Sequence, residues 1–547
     1  YTGQTLPWGT LTGIRPAKIA MGLIEQGMSN VETAEYMRNT YLASKEKVAL
    51  SVMIANRERY VLRNIDYKDG YSLYVGIPFC PSICLYCSFS SYPLERWRKQ
   101  VDQYLDALCK ELDYVADRFR DKKLNTVYIG GGTPTTLEPY QLDRLLTRIQ
   151  SKFDTEHLQE FTVEAGRPDS ITREKLQVLL DHGIDRISIN PQTMNQKTLE
   201  IIGRRHTVDQ VKEAFTLARS MGFAHINMDL IVGLPGESYD DVEHTMKELE
   251  AMAPDSVTVH SLAIKRAARL SLFKDKYEEM GLENNMQIMD MTARYCAEMG
   301  LSPYYLYRQK NMAGNFENVG YAQPEKAGIY NILIMEEKQT IVACGAGAST
   351  KRVWNKQNPD GSYRIERCEN IKDVALYIEK IDEMIQRKEE LFAYYESVKD
   401  RAACVTFFIK MPTGETEVIS NSNIEAKMAY IDKAYDDELV HSGCKQICIE
   451  NYAFACIDDM MDFGSAIMNM KEGHKVARKG WNGKGMFLYY VPAAKYKRCT
   501  ESARCIADKD DMVEYGAYIA MKTAQGNVVP WLASQTDMLA EDWTIVE

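Results

Sequence analysis

The sequence predicts an α/β protein whose larger part is a partial (β/α)6 barrel, followed by small α+β domains. Six short runs rich in β-branched residues alternate with amphipathic helical patterns, and such alternation indicates parallel strands in βαβ units. The runs are LYVGIP near residue 75, TVYIG near 127, FTVEA near 162, RISINP near 188, INMDLIV near 228 and SVTVHSL near 258. The helical patterns between them include VDQYLDALCKELDYVADRF and HTVDQVKEAFTLARSMG.

The character of the sequence changes near residues 380–400. There, IEKIDEMIQRKEELFAYYESVKDR predicts a charged helix that ends the first module and serves as a linker. Further on, CVTFFIKMPTGETEVIS predicts a β-hairpin, NIEAKMAYIDKAYDDELVHSG a helix and CKQICIENYAFA a strand. We therefore expect five regions, namely a truncated N-terminal helical segment (1–70), the barrel (71–265), a C-terminal region with the linker helix (266–395), a small α+β module of unknown role (403–456) and a ligand-binding domain (459–547).

Composition limits the functions that the chain can have. Its 547 residues allow two to four domains, and a hydrophobic content of 45% is ordinary for a globular protein. A formal net charge of −11 argues against a surface that coats nucleic acid or binds an anionic membrane. The thirteen cysteines are scattered apart from one triad, which indicates reduced thiols and a cytoplasmic protein. We expect no signal peptide or membrane span, and because the first residue is Tyr1 we expect the sequence to begin within a longer chain.

Three cysteines, Cys80, Cys84 and Cys87, stand close together in IPFCPSICLYCSF. At this spacing all three thiolates can turn onto one iron–sulfur cluster, which usually takes four. Ser88 and Phe89 follow directly, so no fourth cysteine is near and one iron would stay open to a substrate or cofactor. Zinc is an alternative, although zinc sites favour paired CxxC or Cys/His sets with four ligands. Ordinary buried thiols are the other alternative.

The surrounding motifs identify a family. The CxxxCxxC loop followed by YIGGGTP resembles the radical S-adenosylmethionine (SAM) enzymes from about residue 73 to 262. The runs YVGIPFCPSICLYCSF, TVYIGGGTPTTL, IGRRHT and MDLIVGLPGES, together with LPWGTLTGIRPAKIA and SSYPL, resemble the oxygen-independent coproporphyrinogen oxidase group, and within it the coproporphyrinogen dehydrogenases of the HemZ type. This resemblance covers about residues 1–392. It implies a 4Fe–4S cluster on the three cysteines and SAM as cofactors.

The residues that the resemblance assigns to SAM follow the predicted strands, as expected at the C-terminal mouth of a barrel. They are Gly131, Gly132 and Thr133, flanked by Gly130 and Pro134, after the second strand; Glu164 at the end of the third; Gln192 after the fourth; Arg204 beyond it; and Asp229 in the fifth. A carboxylate suits ribose hydroxyls, and an arginine suits a carboxylate. The alternatives are a helix cap for Glu164 and a structural hydrogen-bond hub for Asp229.

The resemblance also implies the reaction. Reductive cleavage of SAM gives a 5′-deoxyadenosyl radical that takes hydrogen from a propionate of coproporphyrinogen III, and loss of carbon dioxide and an electron leaves a vinyl group in porphyrin biosynthesis. No catalytic residue is predicted beyond the cluster and SAM, and flavodoxin or ferredoxin is the expected electron donor. The family's oxidases usually carry a fourth cysteine where this chain has Phe89, whereas its haem-binding chaperones share the three-cysteine pattern, so a chaperone is the alternative. Lys265, Arg266, Arg269 and Arg308 are candidate partners of porphyrin propionates.

The end of the chain resembles a different family. MDFGSAIMNMKEGHKVARKGWNGKGMFLYYVP and GAYIAMKTAQGNVVPWLASQTDMLAEDWTIVE resemble the Thoeris anti-defence 2 (Tad2-like) domains over about residues 461–547. This resemblance implies a non-enzymatic, oligomerising domain that sequesters a cyclic ADP-ribose-type signal. The candidate ligand residues are Arg478, Trp481, Asn482, Lys484 and Trp531, together with Tyr489 and Lys479. The alternative makes the tryptophans core and the lysines solvated, and a gene fusion in which this domain is the functional part is the alternative for the whole chain.

Overall fold

The computed structural model describes most of the first 402 residues and part of the remainder. The described residues are 6–11, 15–87, 91–263, 270, 280–309, 312, 314, 316–357, 363–402, 407–410, 416–419, 463–478, 481, 485–497, 508, 510–523, 526–531, 533, 537, 540 and 542–546. They fall into two compact units, 1–403 and 404–547, each described below by itself. The finer domain boundaries expected from the sequence remain predictions.

A large sheet forms the centre of the first unit. The strands of this unit are β1 (Gly70–Ile77), β2 (Phe79–Cys80), β3 (Tyr92–Pro93), β4 (Lys123–Gly131), β5 (Glu160–Glu164), β6 (Arg186–Ser188), β7 (His225–Val232), β8 (Ser256–Ser261), β9 (Ser302–Tyr307), β10 (Asn318–Ala322), β11 (Thr340–Cys344), β12 (Ser349–Gln357) and β13 (Tyr363–Glu369). Eleven of them form one sheet in the order β13-β12-β11-β1-β4-β5-β6-β7-β8-β10-β9. The short strands β2 and β3 pair only with each other among the described strands.

Six neighbouring strands of the sheet are parallel, and they are the six runs that the sequence predicts. β1 pairs with β4, and the parallel pairing continues through β5, β6 and β7 to β8. The predicted α/β fold is therefore confirmed. The sequence did not predict the additions at the two ends of the sheet. These are β11, parallel to β1, with β12 and β13 antiparallel beyond it, and β10 and β9, antiparallel beyond β8.

Helices connect the strands and cover the sheet. They are α1 (Pro16–Glu25), α2 (Asn30–Tyr41), α3 (Lys45–Val61), α4 (Leu94–Trp97), α5 (Val101–Arg118), α6 (Pro139–Lys152), α7 (Arg173–Asp181), α8 (Gln196–Ile201), α9 (Val208–Met221), α10 (Tyr239–Met252), α11 (Met286–Glu298), α12 (Ile329–Glu336), α13 (Val374–Glu379) and α14 (Ile381–Ala402). In α5, Leu105, Leu108, Leu112 and Val115 recur at helical spacing and are all buried, so this helix packs one apolar face on the sheet. Both helical patterns quoted from the sequence are confirmed, and the predicted charged helix is α14.

A buried polar network ties α14 and α5 to the strand that precedes the cysteine loop. Glu111 in α5 is fully buried and accepts hydrogen bonds from Lys388 in α14 at 2.6 Å and from the backbone N–H of Gly345 at 2.8 Å. Next to it, the Tyr104 hydroxyl donates to the carbonyl of Gly76 at 2.6 Å. Since a buried ion pair is costly to break, this network holds the end of β1 in place.

The second unit contains small antiparallel sheets, as the sequence predicts. Its elements are β14 (Phe407–Lys410), β15 (Thr416–Ile419), α15 (Phe463–Lys471), β16 (Lys475–Arg478), β17 (Phe487–Val491), β18 (Ala494–Lys497), β19 (Met512–Tyr515), β20 (Tyr518–Lys522), β21 (Val528–Pro530) and β22 (Trp543–Val546). β14 and β15 form the predicted hairpin, whereas the helix and the strand predicted after it lie outside the described residues. A five-stranded sheet has the order β21-β20-β17-β16-β22, and α15 packs on it around Trp543. Within the described part of the chain, no helix is both long and apolar enough to cross a bilayer.

Candidate cluster and cofactor site

The predicted cofactor residues of the first unit gather at one edge of the sheet. Cys80 follows β1, Gly131 ends β4, and Glu164 ends β5. Gln192 follows β6 and forms an isolated parallel bridge with Leu230 of β7. Because the six strands are parallel, their carboxyl ends meet at the same edge, which is where ligands bind in folds of this kind.

Each of the three cysteine sulfurs has a polar neighbour. The Thr133 hydroxyl donates to Cys80 Sγ at 3.5 Å, and the Arg167 guanidinium donates to Cys84 Sγ at 3.7 Å. Cys87 Sγ lies 3.6 Å from the Ser91 hydroxyl. Cys80 and Cys84 are free thiols, and each of the three sulfurs of the loop has a polar group within hydrogen-bond distance.

The loop and the glycine turn after β4 are fastened to each other through their backbones. The N–H of Gly132 donates to the carbonyl of Ile77, and that of Thr133 donates to the carbonyl of Phe79, both at 2.7 Å. A Cβ on Gly132 would lie 2.6 Å from the Phe79 oxygen, and Gly131 has a φ of +109°. Glycine is therefore required here because two backbone segments meet, and this requirement holds whether or not a ligand is bound.

The thiol chemistry fits a cluster of several irons. Burial raises the pKa of Cys80 to about 12, against the opposing effect of the Thr133 hydrogen bond, so this group needs a metal to become a thiolate. Among the described residues, no three His, Cys, Asp or Glu side chains converge as the ligands of a single metal ion would. A 4Fe–4S cluster instead takes one thiolate per iron, so its cysteines surround it. Phe89, which stands at the position of the family's usual fourth cysteine, lies outside the described residues.

Two carboxylates face the interior of the sheet edge. Glu164 accepts a hydrogen bond from the Tyr128 hydroxyl at 2.5 Å, and the backbone N–H of Gly131 donates to the same carboxylate. Burial, together with the charge of Asp229, raises the pKa of Glu164 to about 7, although the hydrogen bond from Tyr128 opposes the shift. Burial acts in the same sense on Asp229, but the neighbouring His260 outweighs it, so the pKa of Asp229 is lowered. The site therefore holds one carboxyl group whose pKa is raised and one whose pKa is lowered.

Gln192 and Arg204 are buried residues of this edge, and each has one unusual feature. Gln192 is buried and has a φ of +68°, a left-handed conformation that costs free energy in any residue other than glycine. Arg204 is buried, donates to the carbonyl of Asn190, and leaves its Nε without a hydrogen-bond partner among the described residues. Burial acts against the charge of Arg204, but Tyr86 and Cys84 outweigh it and raise its pKa. The guanidinium thus stays charged at the edge of the cysteine loop.

Several residues of this edge escaped the sequence analysis. His260, at the end of β8, lies with Nε2 3.7 Å from Asp229 Oδ2, and its Nδ1 lies 3.3 Å from the Tyr307 hydroxyl. His260 lies at the carboxyl end of a predicted strand, as Glu164 does, so the same expectation could have identified it from the sequence. Arg167 stands in a loop, where the sequence alone gives an arginine the appearance of a solvated side chain.

The candidate partners of porphyrin propionates are only partly described. Lys265, Arg266 and Arg269 lie outside the described residues. Arg308 is 7% exposed, donates to the carbonyl of Leu11 at 2.7 Å and stacks on Trp8. The structure therefore engages Arg308 in packing of the N-terminal segment.

The candidate ligand residues of the second unit are also engaged with one another or with the core. Arg478 bonds to Asp542 at 2.7 Å and to Asp537 at 3.0 Å. Trp481 and Trp531 lie with ring centroids 5.5 Å and 6.0 Å from that of the fully buried Trp543. Tyr489 is half-buried in β17. The remaining candidates, Lys479, Asn482 and Lys484, lie outside the described residues.

Comparison with known proteins matches both units to families. The radical SAM superfamily matches residues 74–249, and the Thoeris anti-defense 2-like domain matches residues 461–546. Over 400 residues the chain is 42% identical to the oxygen-independent coproporphyrinogen-III oxidase-like protein HemZ of Bacillus subtilis, covering 72% of this chain and 79% of that protein.

Two further similarities bear on the same unit. The heme chaperone HemW of Lactococcus lactis is 33% identical over 284 residues, which cover 51% of this chain and 69% of that protein. Among solved structures, the coproporphyrinogen III oxidase HemN of Escherichia coli aligns with a TM-score of 0.47 and 22% identity, covering 61% of this chain and 73% of that one.

Proposed function

The chain belongs to the family of oxygen-independent coproporphyrinogen-III oxidase-like proteins within the radical SAM superfamily, and we propose that it catalyses the oxidative decarboxylation of coproporphyrinogen III propionates. The family uses a 4Fe–4S cluster and SAM. The observation that carries the proposal is the position of the cysteine loop, Glu164 and Gln192 at the carboxyl ends of neighbouring parallel strands, together with the buried Arg204, whose Nε has no partner among the described residues. A buried donor of this kind is costly unless a ligand completes it.

The residues divide the work of holding the two cofactors. Cys80, Cys84 and Cys87 would bind three irons and leave the fourth open. Bound there, the cluster and SAM supply radical chemistry through one-electron reductive cleavage of SAM. Arg204 would bind the SAM carboxylate with charge-assisted hydrogen bonds, while Glu164 and Asp229 would accept hydrogen bonds from ribose hydroxyls.

The proposed chemistry also needs an electron donor and a suitable cellular compartment. The cluster would draw its electron from a one-electron donor such as flavodoxin or ferredoxin. The buried cysteines Cys109, Cys296, Cys344 and Cys368 are free thiols, as is usual in a reducing compartment, and this supports a reaction in the cytoplasm.

A haem-binding chaperone is the second candidate for this unit. It is favoured by the three-cysteine pattern and by the identity to HemW, a protein named as a heme chaperone. Both candidates share the three-cysteine pattern, so what they bind or convert separates them.

One anaerobic experiment distinguishes the two functions. The protein is reconstituted with iron and sulfide and given dithionite, SAM and coproporphyrinogen III, and 5′-deoxyadenosine and vinyl products are measured. Decarboxylated product that is lost in Cys84→Ala but kept in Cys109→Ala, a buried cysteine of α5, supports the enzyme. Tight haem binding without any decarboxylated product would favour the chaperone and contradict the proposed reaction.

For the second unit, the Tad2-like match supports binding and sequestration of a cyclic ADP-ribose-type signal without chemistry. The test is calorimetric titration of the full chain with cyclic ADP-ribose, followed by recovery of the ligand. Binding with intact ligand, unchanged in Cys84→Ala, is the expected result. Hydrolysed ligand, or no binding, would exclude a sequestering domain for this signal.

A further inference from the structure

Arg167 connects three segments around the cysteine loop. It follows β5, is 3% exposed, and forms a two-pronged pair with Asp169 through Nε at 2.9 Å and Nη2 at 2.7 Å. Its remaining nitrogen, Nη1, donates to the Ser82 hydroxyl at 3.1 Å and to Cys84 Sγ at 3.7 Å. The Ser82 hydroxyl in turn donates to the carbonyl of Gly203, one residue before Arg204. A single guanidinium therefore reaches the cysteine loop from a strand end.

The bidentate pair fixes which nitrogen points at the sulfur. Asp169 occupies one edge of the planar guanidinium, and because the fork is rigid, Nη1 can only project toward the cysteine loop. Burial alone would raise the pKa of Asp169, but the Arg167 hydrogen bonds outweigh it and lower the pKa, so the carboxylate stays ionised and the fork stays held. The orientation of Arg167 is thus built into the protein before any cofactor binds.

This part of the loop carries more positive than negative charge. Within the described network, two buried guanidiniums, Arg167 and Arg204, face one carboxylate, Asp169. His206 lies fully buried with Nδ1 4.0 Å from Asp169, and burial together with the two arginines lowers its pKa to about 3, so it adds no charge. Since buried charge is costly unless it is balanced, the excess positive charge favours a bound anionic group next to Arg167 and Arg204.

We propose that Arg167 is a positioning residue that raises the reduction potential of the cluster by donating a charged hydrogen bond to the thiolate of Cys84. The inference rests on the proposed cluster site. Reduction adds one electron from an external one-electron donor, with no bond made or broken, so the cluster gains one negative charge. A nearby cation stabilises that reduced form more than the oxidised form, and hydrogen bonds to sulfur act in the same sense.

The test is a redox titration of the reconstituted full chain without SAM, followed by electron paramagnetic resonance. Arg167→Gln removes the charge and is expected to lower the ratio of reduced to oxidised cluster about tenfold at a fixed applied potential, a shift of about 59 mV to more negative values. Arg167→Lys keeps the charge and is expected to shift the potential less. The matched control is Arg205→Gln, because Arg205 is exposed and solvent and salt screen its charge, so its loss should leave the potential unchanged.

A second variant is expected to shift the reduction potential in the opposite direction, which separates the effect of charge from a merely structural effect. Asp169→Asn removes the counter-charge and leaves Arg167 cationic, so the potential should move to less negative values. A well-loaded Arg167→Gln cluster with the wild-type potential would overturn the proposal. If Arg167→Gln does not load, Asp169→Asn decides, and a potential that is unchanged or more negative would overturn it. A wild-type protein that takes up no cluster would refute the proposed function itself, which is a separate outcome.

Discussion

The candidate sites of the two units contain similar residue types, but the two sites differ in how far their polar groups have partners within the protein. At the sheet edge of the first unit, Arg204 keeps an unpartnered Nε and Glu164 has a pKa of about 7. In the second unit, Arg478 bonds to Asp537 and Asp542, and Trp481 packs against Trp543. An arginine beside aromatic or acidic residues describes both places equally well in sequence. What separates them is whether the protein itself satisfies the polar groups.

The difference matters because a buried polar group without a partner costs free energy. Natural proteins satisfy nearly all of their buried polar groups, so a group left incomplete indicates a missing ligand. A group that is already complete stabilises the fold and has less to offer a ligand. By this criterion the described edge of the first unit is prepared for binding, whereas the described candidates of the second unit support its core. Four substitutions put the contrast to the test.

The largest effect is expected from the core of the second unit. Trp543 is fully buried, so Trp543→Ala should lower the free energy of unfolding of this unit by about 3–5 kcal/mol. Hydrogen exchange of the full chain, read from peptides of residues 463–546, measures the effect unit by unit. Val528→Ala at the edge strand β21 is the control, because Val528 is 56% exposed and should change stability by less than about 0.5 kcal/mol. Equal protection in both variants would mean that the tryptophan cluster is not core.

Glu164→Gln should have the opposite sign in the first unit. The folded pKa of about 7 lies above the ordinary value of 4.5, so the folded state holds more protons between these values and stability falls as pH rises through this window. The uncharged glutamine avoids that loss. The variant should therefore be more stable than the wild type by up to about 3 kcal/mol at pH 8, and no more stable at pH 4.

The same substitution should weaken SAM binding, because glutamine is a poorer acceptor than a carboxylate for ribose hydroxyls. Thermal unfolding of the ligand-free protein at the two pH values, with titration of SAM into the reconstituted protein, measures both quantities. A variant that is less stable at pH 8 would show that Glu164 is a structural residue and would remove the contrast between the units.

Arg478→Met is expected to act as the loss of a structural residue. Removing the guanidinium breaks its ion pairs with Asp537 and Asp542, at a cost of about 2 kcal/mol in the second unit. Hydrogen exchange of β16, which ends at Arg478, and of β22, which begins directly after Asp542, reports the loss. Binding of cyclic ADP-ribose that disappears while exchange stays at the wild-type rate would make Arg478 a ligand contact after all.

The sequence was sufficient for features that depend on local pattern. Six β-branched runs between helices identified the parallel strands, and the strand-end rule brought Glu164 and Gln192 to one edge. The rule could not find Tyr128, which lies inside β4 and has the pattern of a core residue although its hydroxyl holds Glu164. No local pattern predicts that β11 joins the sheet beside β1 either.

Pairing between distant residues is the other limit. Arg478 looked like a cation available to a phosphate because its two carboxylates stand 59 and 64 residues further along the chain. Arg167 drew no prediction, because its contact with Cys84 spans 83 residues. Neither environment could be predicted, since charge balance is a property of the folded chain.

A pair of carboxyl groups outside the candidate cofactor site gives the most severe test of the criterion that an unsatisfied buried polar group indicates a missing ligand. Glu58 in α3 is fully buried with neither oxygen hydrogen-bonded among the described residues, and Glu336 in α12 is buried beside it. Burial raises the pKa of Glu58, and the charge of Glu336 raises it further. These groups are as incomplete as those of the sheet edge, and Glu337 next to them has a φ of +54°, yet neither group is among the residues assigned to the cluster or SAM.

We expect the Glu58 pair to store strain rather than to bind a ligand. Both pKa values are raised, so stability falls as pH increases above the ordinary glutamate range, and Glu58→Gln should relieve the repulsion between the two carboxyl groups. The gain at pH 8 should be on the order of 1 kcal/mol, the equivalent of one pKa unit, with 5′-deoxyadenosine formation unchanged. Thermal unfolding and the SAM cleavage assay measure the two effects. If cleavage falls in Glu58→Gln while stability rises, unsatisfied burial marks function throughout this unit. If cleavage holds, burial must coincide with a cofactor ligand before it indicates a site.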